Sequence, residues 1–356
     1  MSKTNILPDL ILRRRNRRAN AKMLRIDTPN GIAESRFVTI GGIEQWITIR
    51  GEDRRHPVLL FVHGGPASPY CIFNPLLRSW EKHFTIVQWD QRGAGKTFRR
   101  NGKAKSGAIT LERLAQDGIE LTDFLRERLG HRKIIVIGSS VGSLIAMMMV
   151  RSRPELFHAY VGTDQNAPDP DFEWYRQAMD AFRGAGLHQG IRLMERMGPD
   201  PSRWRRSDYD RLNQLIVKAI RDVPNMIMDL MLPSMLASPD HTIRDLIAIF
   251  QGMEFSLDHL FEELMTFDFS RIGTKFDVPF FVFQGDTDIF TPISAAKSFF
   301  DRIEAPHKSF AIIRNAGHLA CFARPDQFLE ELVGKVLPVA LESPVRFDSG
   351  YSPPVI

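Results

Sequence analysis

In the run Gly138-Ser139-Ser140-Val141-Gly142, a serine stands between two glycines, each two residues away. A serine hydroxyl becomes a nucleophile when a base takes its proton and an acid orients that base, so a histidine and a carboxylate are required further along the chain. The preceding KIIVI reads as a buried strand and the following SLIAMMMV as a helix. That is the setting in which a strained strand-to-helix turn raises a serine oxygen above a sheet. Side chains at Gly138 or Gly142 would strike neighbouring backbone in such a turn. The helix start presents free amides and a positive dipole end toward an oxyanion. Ser139 and Ser143 lack glycines two residues away on both sides, which leaves Ser140 as the candidate nucleophile.

Candidate partners follow in the order serine, acid, histidine. FVFQGDTDIFTP offers Asp288 as the acid, with Asp286 second, and IIRNAGH supplies His318 as the base. Asp164, at the end of AYVGTDQ, is a third candidate acid. HGGPAS, His63 to Ser68, ends another apolar run, and its glycines let backbone turn toward a tetrahedral intermediate. Gly65 and Val141 are the expected amide donors of an oxyanion hole, and His63 is expected to organise the loop.

These residues need elements to carry them. RFVTIGGIEQWITIR reads as a hairpin around Gly41 and Gly42. PVLLFV, FTIVQWD, KIIVI, AYVGTDQ, VPFFVFQG and KSFAII read as strands, most of them buried on both faces and separated by helical segments such as ITLERLAQDGIELTDFLRERLG. The alternation predicts an α/β fold with a mostly parallel sheet and helices on both faces. From Gln165 to about Phe269 the pattern turns wholly helical and predicts an inserted cap. The expected organisation is a basic N-terminal extension over 1–34, a core in two parts over 35–165 and 271–340, a helical cap over 166–270, and a C-terminal tail over 341–356.

HGGPA (His63 to Ala67), DQRGAGKT (Asp90 to Thr97), GSSVG (Gly138 to Gly142), GDTDIFTP (Gly285 to Pro292) and the pair Gly317-His318 occur in the order found in the α/β-hydrolase superfamily. The chain resembles the proline iminopeptidase-like serine hydrolases within it, from about residue 35 to 340. The resemblance implies Ser140 as nucleophile, Asp288 as acid, His318 as base and Gly65 with Val141 as oxyanion hole, with the DQRG stretch supporting the floor of the site. There are departures. The last glycine of the family's HGGPG is Ala67 here, the tryptophan usual after the nucleophile is Val141, and the cap has no WxxWE stretch. The acyl or aminoacyl preference is therefore open. The expected activity is cleavage of an amide or ester in a small, largely apolar substrate; the alternatives are a true proline iminopeptidase and a non-catalytic binding protein on the same fold. Dehalogenase and epoxide hydrolase relatives carry aspartate where Ser140 stands.

Glu173 and Glu254 are candidate ligands for a substrate ammonium, and Met231, with Met226, Met228 and Met235, for an adaptable apolar pocket. GAGKT resembles the end of a phosphate loop, but Asp90 stands where the first glycine belongs, and an anion would be repelled there. No HExxH or Cys/His cluster suggests a metal, and no cofactor is expected. With 43% hydrophobic and 25% charged residues the chain reads as globular. Residues 1–25 hold eight basic side chains against Asp9 alone, more than the net +5 of the whole chain, so the body is not a basic nucleic-acid surface. Two cysteines make no disulfide framework and are expected as buried filler; a cytoplasmic location fits this usage and the missing signal pattern. The uncharged run Ile134 to Val150 is shorter than the roughly 20 apolar residues of a membrane span and is broken by glycine and serine. Residues 11–25 are expected as a solvated, partly frayed extension in preference to a lipid-touching helix.

Overall fold

The computed structural model describes residues 6–220 and 224–342, with side chains described from residue 12 onward. Eight strands form one sheet: β1 (Ile32–Ile40), β2 (Ile43–Gly51), β3 (Val58–Val62), β4 (Thr85–Asp90), β5 (Ile134–Ser140), β6 (Phe157–Gln165), β7 (Phe280–Gly285) and β8 (Lys308–Ile313). Their spatial order is β1-β2-β4-β3-β5-β6-β7-β8. The pairs β1/β2 and β2/β4 are antiparallel, and every pair from β4 across to β8 is parallel. Gly41 (φ 57) and Gly42 (φ 77) form the two-residue turn of the first hairpin. Positive φ at both positions gives the turn a hand that matches strand twist.

The apolar runs read as double-sided strands for a visible reason. Val58, Leu60, Val62, Ile134 and Val136 point into one core cluster, while Leu59, Phe61, Ile135 and Ile137 point into another on the opposite face. Alternation along β3 and β5 thus serves two cores at once. Helices Leu111–Leu129, Val141–Ser152 and Ile293–Arg302 cover the first face. The closing helical stretch, through Phe328, Leu332, Val336 and Ala340, covers the second. Helix Leu111–Leu129 starts where the Thr110 side chain accepts from Arg113 N, and it stops at Gly130 (φ 72). The uncharged run from Ile134 divides at Ser140 into β5 and helix Val141–Ser152, and among the described residues no helix is long and apolar enough to cross a membrane. Cys71 and Cys321 are both buried and unpaired, and the Cys71 thiol donates to Asp90 Oδ1 at 3.1 Å.

Between β6 and β7 the described residues form helices Glu173–Gly184, His188–Met197, Arg206–Ala219, Leu232–Ala237 and Ile243–Met265, with a π-helical turn at Met226–Met231. The first three close on a small core of their own around Phe182, Met194, Leu212 and Ile216. Thr242 and Asp245 cap the start of the longest helix reciprocally.

The N-terminal segment departs from the sequence expectation. Ile6–Met23 is a helix laid against Leu232–Ala237, not a frayed extension. Arg13 donates to His241 O (3.2 Å), Arg17 to Ser238 O (3.0 Å) and Pro239 O (2.7 Å), and Asn20 to Ala237 O (3.0 Å). These carbonyls lie at and just beyond the end of a helix, where cationic side chains are favoured. The tail expected over 341–356 lies outside the described residues beyond 342.

Candidate active site

Ser140 ends β5 with φ 54 and ψ −127, a conformation that costs an L-residue roughly 1–3 kcal/mol and persists only where packing enforces it. The enforcement comes from its glycines. A Cβ on Gly142 would lie 2.0 Å from Val62 O and 2.7 Å from His63 O; one on Gly138 would lie 2.7 Å from Gly142 O. The neighbouring serines are occupied: Ser139 Oγ donates to Asp164 Oδ2 at 2.7 Å, and Ser143 Oγ donates to Ser140 O at 2.7 Å. Ser140 Oγ has no hydrogen-bond partner among the described residues, and Ser140 lines a cavity together with Val141, Gly65 and His318.

His318 follows β8, and Asp288 follows β7. The imidazole Nδ1 donates to Asp288 Oδ2 at 2.9 Å and stands 3.2 Å from Oδ1, which leaves Nε2 as the acceptor nitrogen of the neutral ring. Asp288 is fully buried and held by the amides of Phe290 (2.8 Å) and Thr291 (3.1 Å) and by the Thr291 hydroxyl (2.7 Å). Burial opposes a charge on His318, but Asp288 and, at longer range, Asp164 outweigh it and push its pKa up to about 9.

The other two candidate acids hold backbone. Asp286 accepts from Asn315 N (3.0 Å) and Ala316 N (3.1 Å), fixing the loop that carries His318. Asp164 accepts from Ser139 Oγ and from Ala320 N (3.1 Å); burial raises its pKa. Atoms of Asp164, Asp288 and His318 come within 4.8 Å of one another, a spacing that suits a cation as well as a proton relay. Their partners here are protein donors, and the ring nitrogen facing Asp288 is the donor in that pair. Sequence reading passed over Tyr70, whose hydroxyl joins Ser139 Oγ (2.8 Å) and accepts from Gly64 N (3.3 Å), and Gln284, which donates to Thr291 O (2.7 Å) and accepts from Gln165 N (2.9 Å). The spacing of Asp288 and Thr291 was the legible signal for the second group, since a carboxylate three residues before a threonine can close a local turn.

The loop after β3 runs against the elbow. A Cβ on Gly64 would lie 2.7 Å from Ser140 Cβ and 3.2 Å from Val141 N, so bare backbone alone fits there. Gly65 (φ 119) follows, and Val141 is the first residue of its helix, whose opening amides have no partner within the helix. Ala67, which stands where the HGGPG pattern has its last glycine, adopts φ 58. His63 is buried and uncharged, its pKa pushed by burial down to about 4. It accepts from Gln91 N at 3.2 Å through Nε2, while Gln91 Nε2 donates to His63 O at 2.8 Å, so this histidine fastens the loop to the segment after β4.

Residues 57–185, which include the loop after β3 and the elbow, match the family model described as alpha/beta hydrolase fold. A Bacillus subtilis protein named probable aminopeptidase YbaC is 26% identical over 86% of this chain and 97% of its own length. The chain has the α/β-hydrolase fold. Among solved structures with this fold, the proline iminopeptidase of Mycobacterium smegmatis superposes with a TM-score of 0.61 at 18% identity, covering 87% of this chain and 99% of that one. A membrane phospholipase A gives 0.62 at 17%, covering 94% of each chain. Likenesses at these identities speak for the fold alone.

The helical segment between β6 and β7 roofs a cavity of about 1710 Å³ over Ser140 and His318. Met226, Met228 and Met231 line it from the π-helical turn, joined by Met253, whereas Met235 packs into the core. Glu254 also lines the cavity, exposed and without a described hydrogen-bond or ion-pair partner. Glu173 does not line it, contrary to expectation. Its carboxylate accepts from Gln177 Nε2 at 3.0 Å and pairs with Arg176, the i+4 and i+3 neighbours on its own helix.

Proposed function

We propose that this chain of α/β-hydrolase fold is a serine hydrolase cleaving an amide or ester bond of a largely apolar substrate through an acyl-enzyme. The observation that carries the reading is the strained Ser140 with an unengaged hydroxyl, facing the same cavity as an imidazole whose far nitrogen is bound to a buried carboxylate. Ser140 Oγ attacks the carbonyl carbon as His318 Nε2 takes its proton. The amides of Gly65 and Val141 hold the resulting oxyanion. His318 then protonates the leaving amine or alcohol as the carbon–leaving-group bond breaks. It next removes a proton from water, which attacks the acyl-serine and releases the acid. Asp288 keeps the ring in the tautomer with Nδ1 protonated.

The base must be neutral to act, so the sign of the pH dependence follows from the raised pKa of His318. With a neutral substrate, kcat/KM rises with pH and reaches half its plateau above the ordinary imidazole value of 6.5. A rate profile with its half-point at or below 6.5 removes His318 from the role.

The methionine wall favours a neutral apolar acyl group. Glu254 favours a second reading, in which the substrate carries a free amine as in an N-terminal prolyl residue. Decanoyl and L-prolyl 4-nitroanilides share a leaving group and separate the two. The first reading expects the decanoyl compound to be preferred by about tenfold or more, with Glu254→Gln nearly neutral. A prolyl preference that Glu254→Gln erases establishes the second instead.

A further inference from the structure

The helix Ile243–Met265 carries an apolar stripe that none of the described residues covers. Ile243, Ile247 and Phe250 are 51%, 51% and 54% exposed and fall on one face at i, i+4 and i+7. Among the described residues only seven large apolar side chains are exposed, so three within eight positions mark this face out. Phe250 also lines the cavity, which places the end of the stripe at the cavity mouth.

The helix begins directly after the 237–241 loop that Arg13, Arg17 and Asn20 grip. That grip sets the basic N-terminal helix against the segment that leads into the striped helix. Its Arg14, Arg15, Arg18 and Lys22 are exposed and make no described hydrogen bond or ion pair, and Arg244 is exposed beside Ile243. Asp240 and Glu254 are the exposed acids flanking the stripe, one at each end. Apolar side chains bordered by cations complement an anionic lipid surface: the former enter the acyl boundary while the latter meet headgroup phosphates. A second copy of the chain fits less well, because a two-fold contact through this face would bring the two basic helices toward each other.

We propose that this face docks on an anionic bilayer and that apolar substrate enters the cavity from the lipid past Phe250. Docking stands independently of the hydrolase reading, and the entry route rests on it.

Co-sedimentation of the full chain with vesicles of equimolar phosphatidylcholine and phosphatidylglycerol, against phosphatidylcholine alone, tests it. Binding is expected to the anionic vesicles, weakened by salt. It is expected to fall by about tenfold or more in Ile243→Glu/Ile247→Glu and in Arg14→Glu/Arg18→Glu. Hydrolysis of an acyl ester dissolved in the vesicles should fall with it, while turnover of a water-soluble ester and fluorophosphonate labelling stay unchanged. Loss of those last two in the unaltered chain would count against the hydrolase reading alone. The arginine variant keeps the test available if the isoleucine variant fails to fold. No preference for anionic vesicles, or undiminished binding in both variants, overturns the proposal. A dimer that Ile243→Glu/Ile247→Glu dissolves, in place of vesicle binding, would assign the stripe to a second copy.

Discussion

Ser140→Ala is expected to lower turnover of any accepted substrate by roughly four to six orders of magnitude and to abolish labelling by a fluorophosphonate. The size follows from the chemistry: without Oγ no acyl-enzyme forms, and what remains is attack by water in a site that still offers oxyanion donors. Stability should hardly change. The Ser140 hydroxyl has no described partner to lose, and alanine inherits the same enforced backbone. Ser139→Ala is the informative companion, because it strips a buried hydrogen bond from Asp164 and should cost about 1–3 kcal/mol in unfolding while leaving labelling intact. The two variants therefore separate the reactive serine from its structural neighbour by opposite patterns. Retained labelling in folded Ser140→Ala, or labelling lost in folded Ser139→Ala alone, would move the nucleophile elsewhere.

What could be read from the chain follows a physical division. β3 and β5 were legible because both faces of each strand are buried, so every position had to be apolar. The elbow was legible because its geometry excludes side chains at Gly138 and Gly142, and exclusion leaves a mark in sequence. The N-terminal helix was not legible. Its hold on the 237–241 loop comes from three side chains reaching carbonyls more than two hundred residues away, and no local pattern encodes that. Glu173 is a different case. The residues that engage it, Arg176 and Gln177, stand at i+3 and i+4 and were visible beforehand. The stripe Ile243, Ile247 and Phe250 has helical spacing in sequence, but spacing alone cannot say whether a face is covered.

Asp288→Asn should lower kcat by about three to four orders of magnitude, against roughly tenfold or less for Asp286→Asn. Three carboxylates lie near His318, and the difference between them is which atom each one holds. Asp288 takes the proton-bearing Nδ1 directly, and its remaining capacity is filled by Phe290 N, Thr291 N and the Thr291 hydroxyl. An amide in its place presents N–H groups to at least one of those donors, or to Nδ1 itself, which turns the imidazole to the wrong tautomer. Among the described residues the Asp286 carboxylate bonds the amides of Asn315 and Ala316, so its loss loosens the histidine loop without changing the ring's proton. Asp164 acts on His318 through charge at longer range while tethering Ser139 and Ala320. The pH profile discriminates further. Removing the Asp288 charge should bring the half-point of the residual activity down toward 6.5, the sign expected when the partner that stabilised the imidazolium is gone; Asp164→Asn should move it less, and Asp286→Asn least. Should Asp164→Asn in folded protein cost more in kcat than Asp288→Asn and shift the half-point further, the acid of this site is Asp164, and the short contact between His318 and Asp288 only orients the loop.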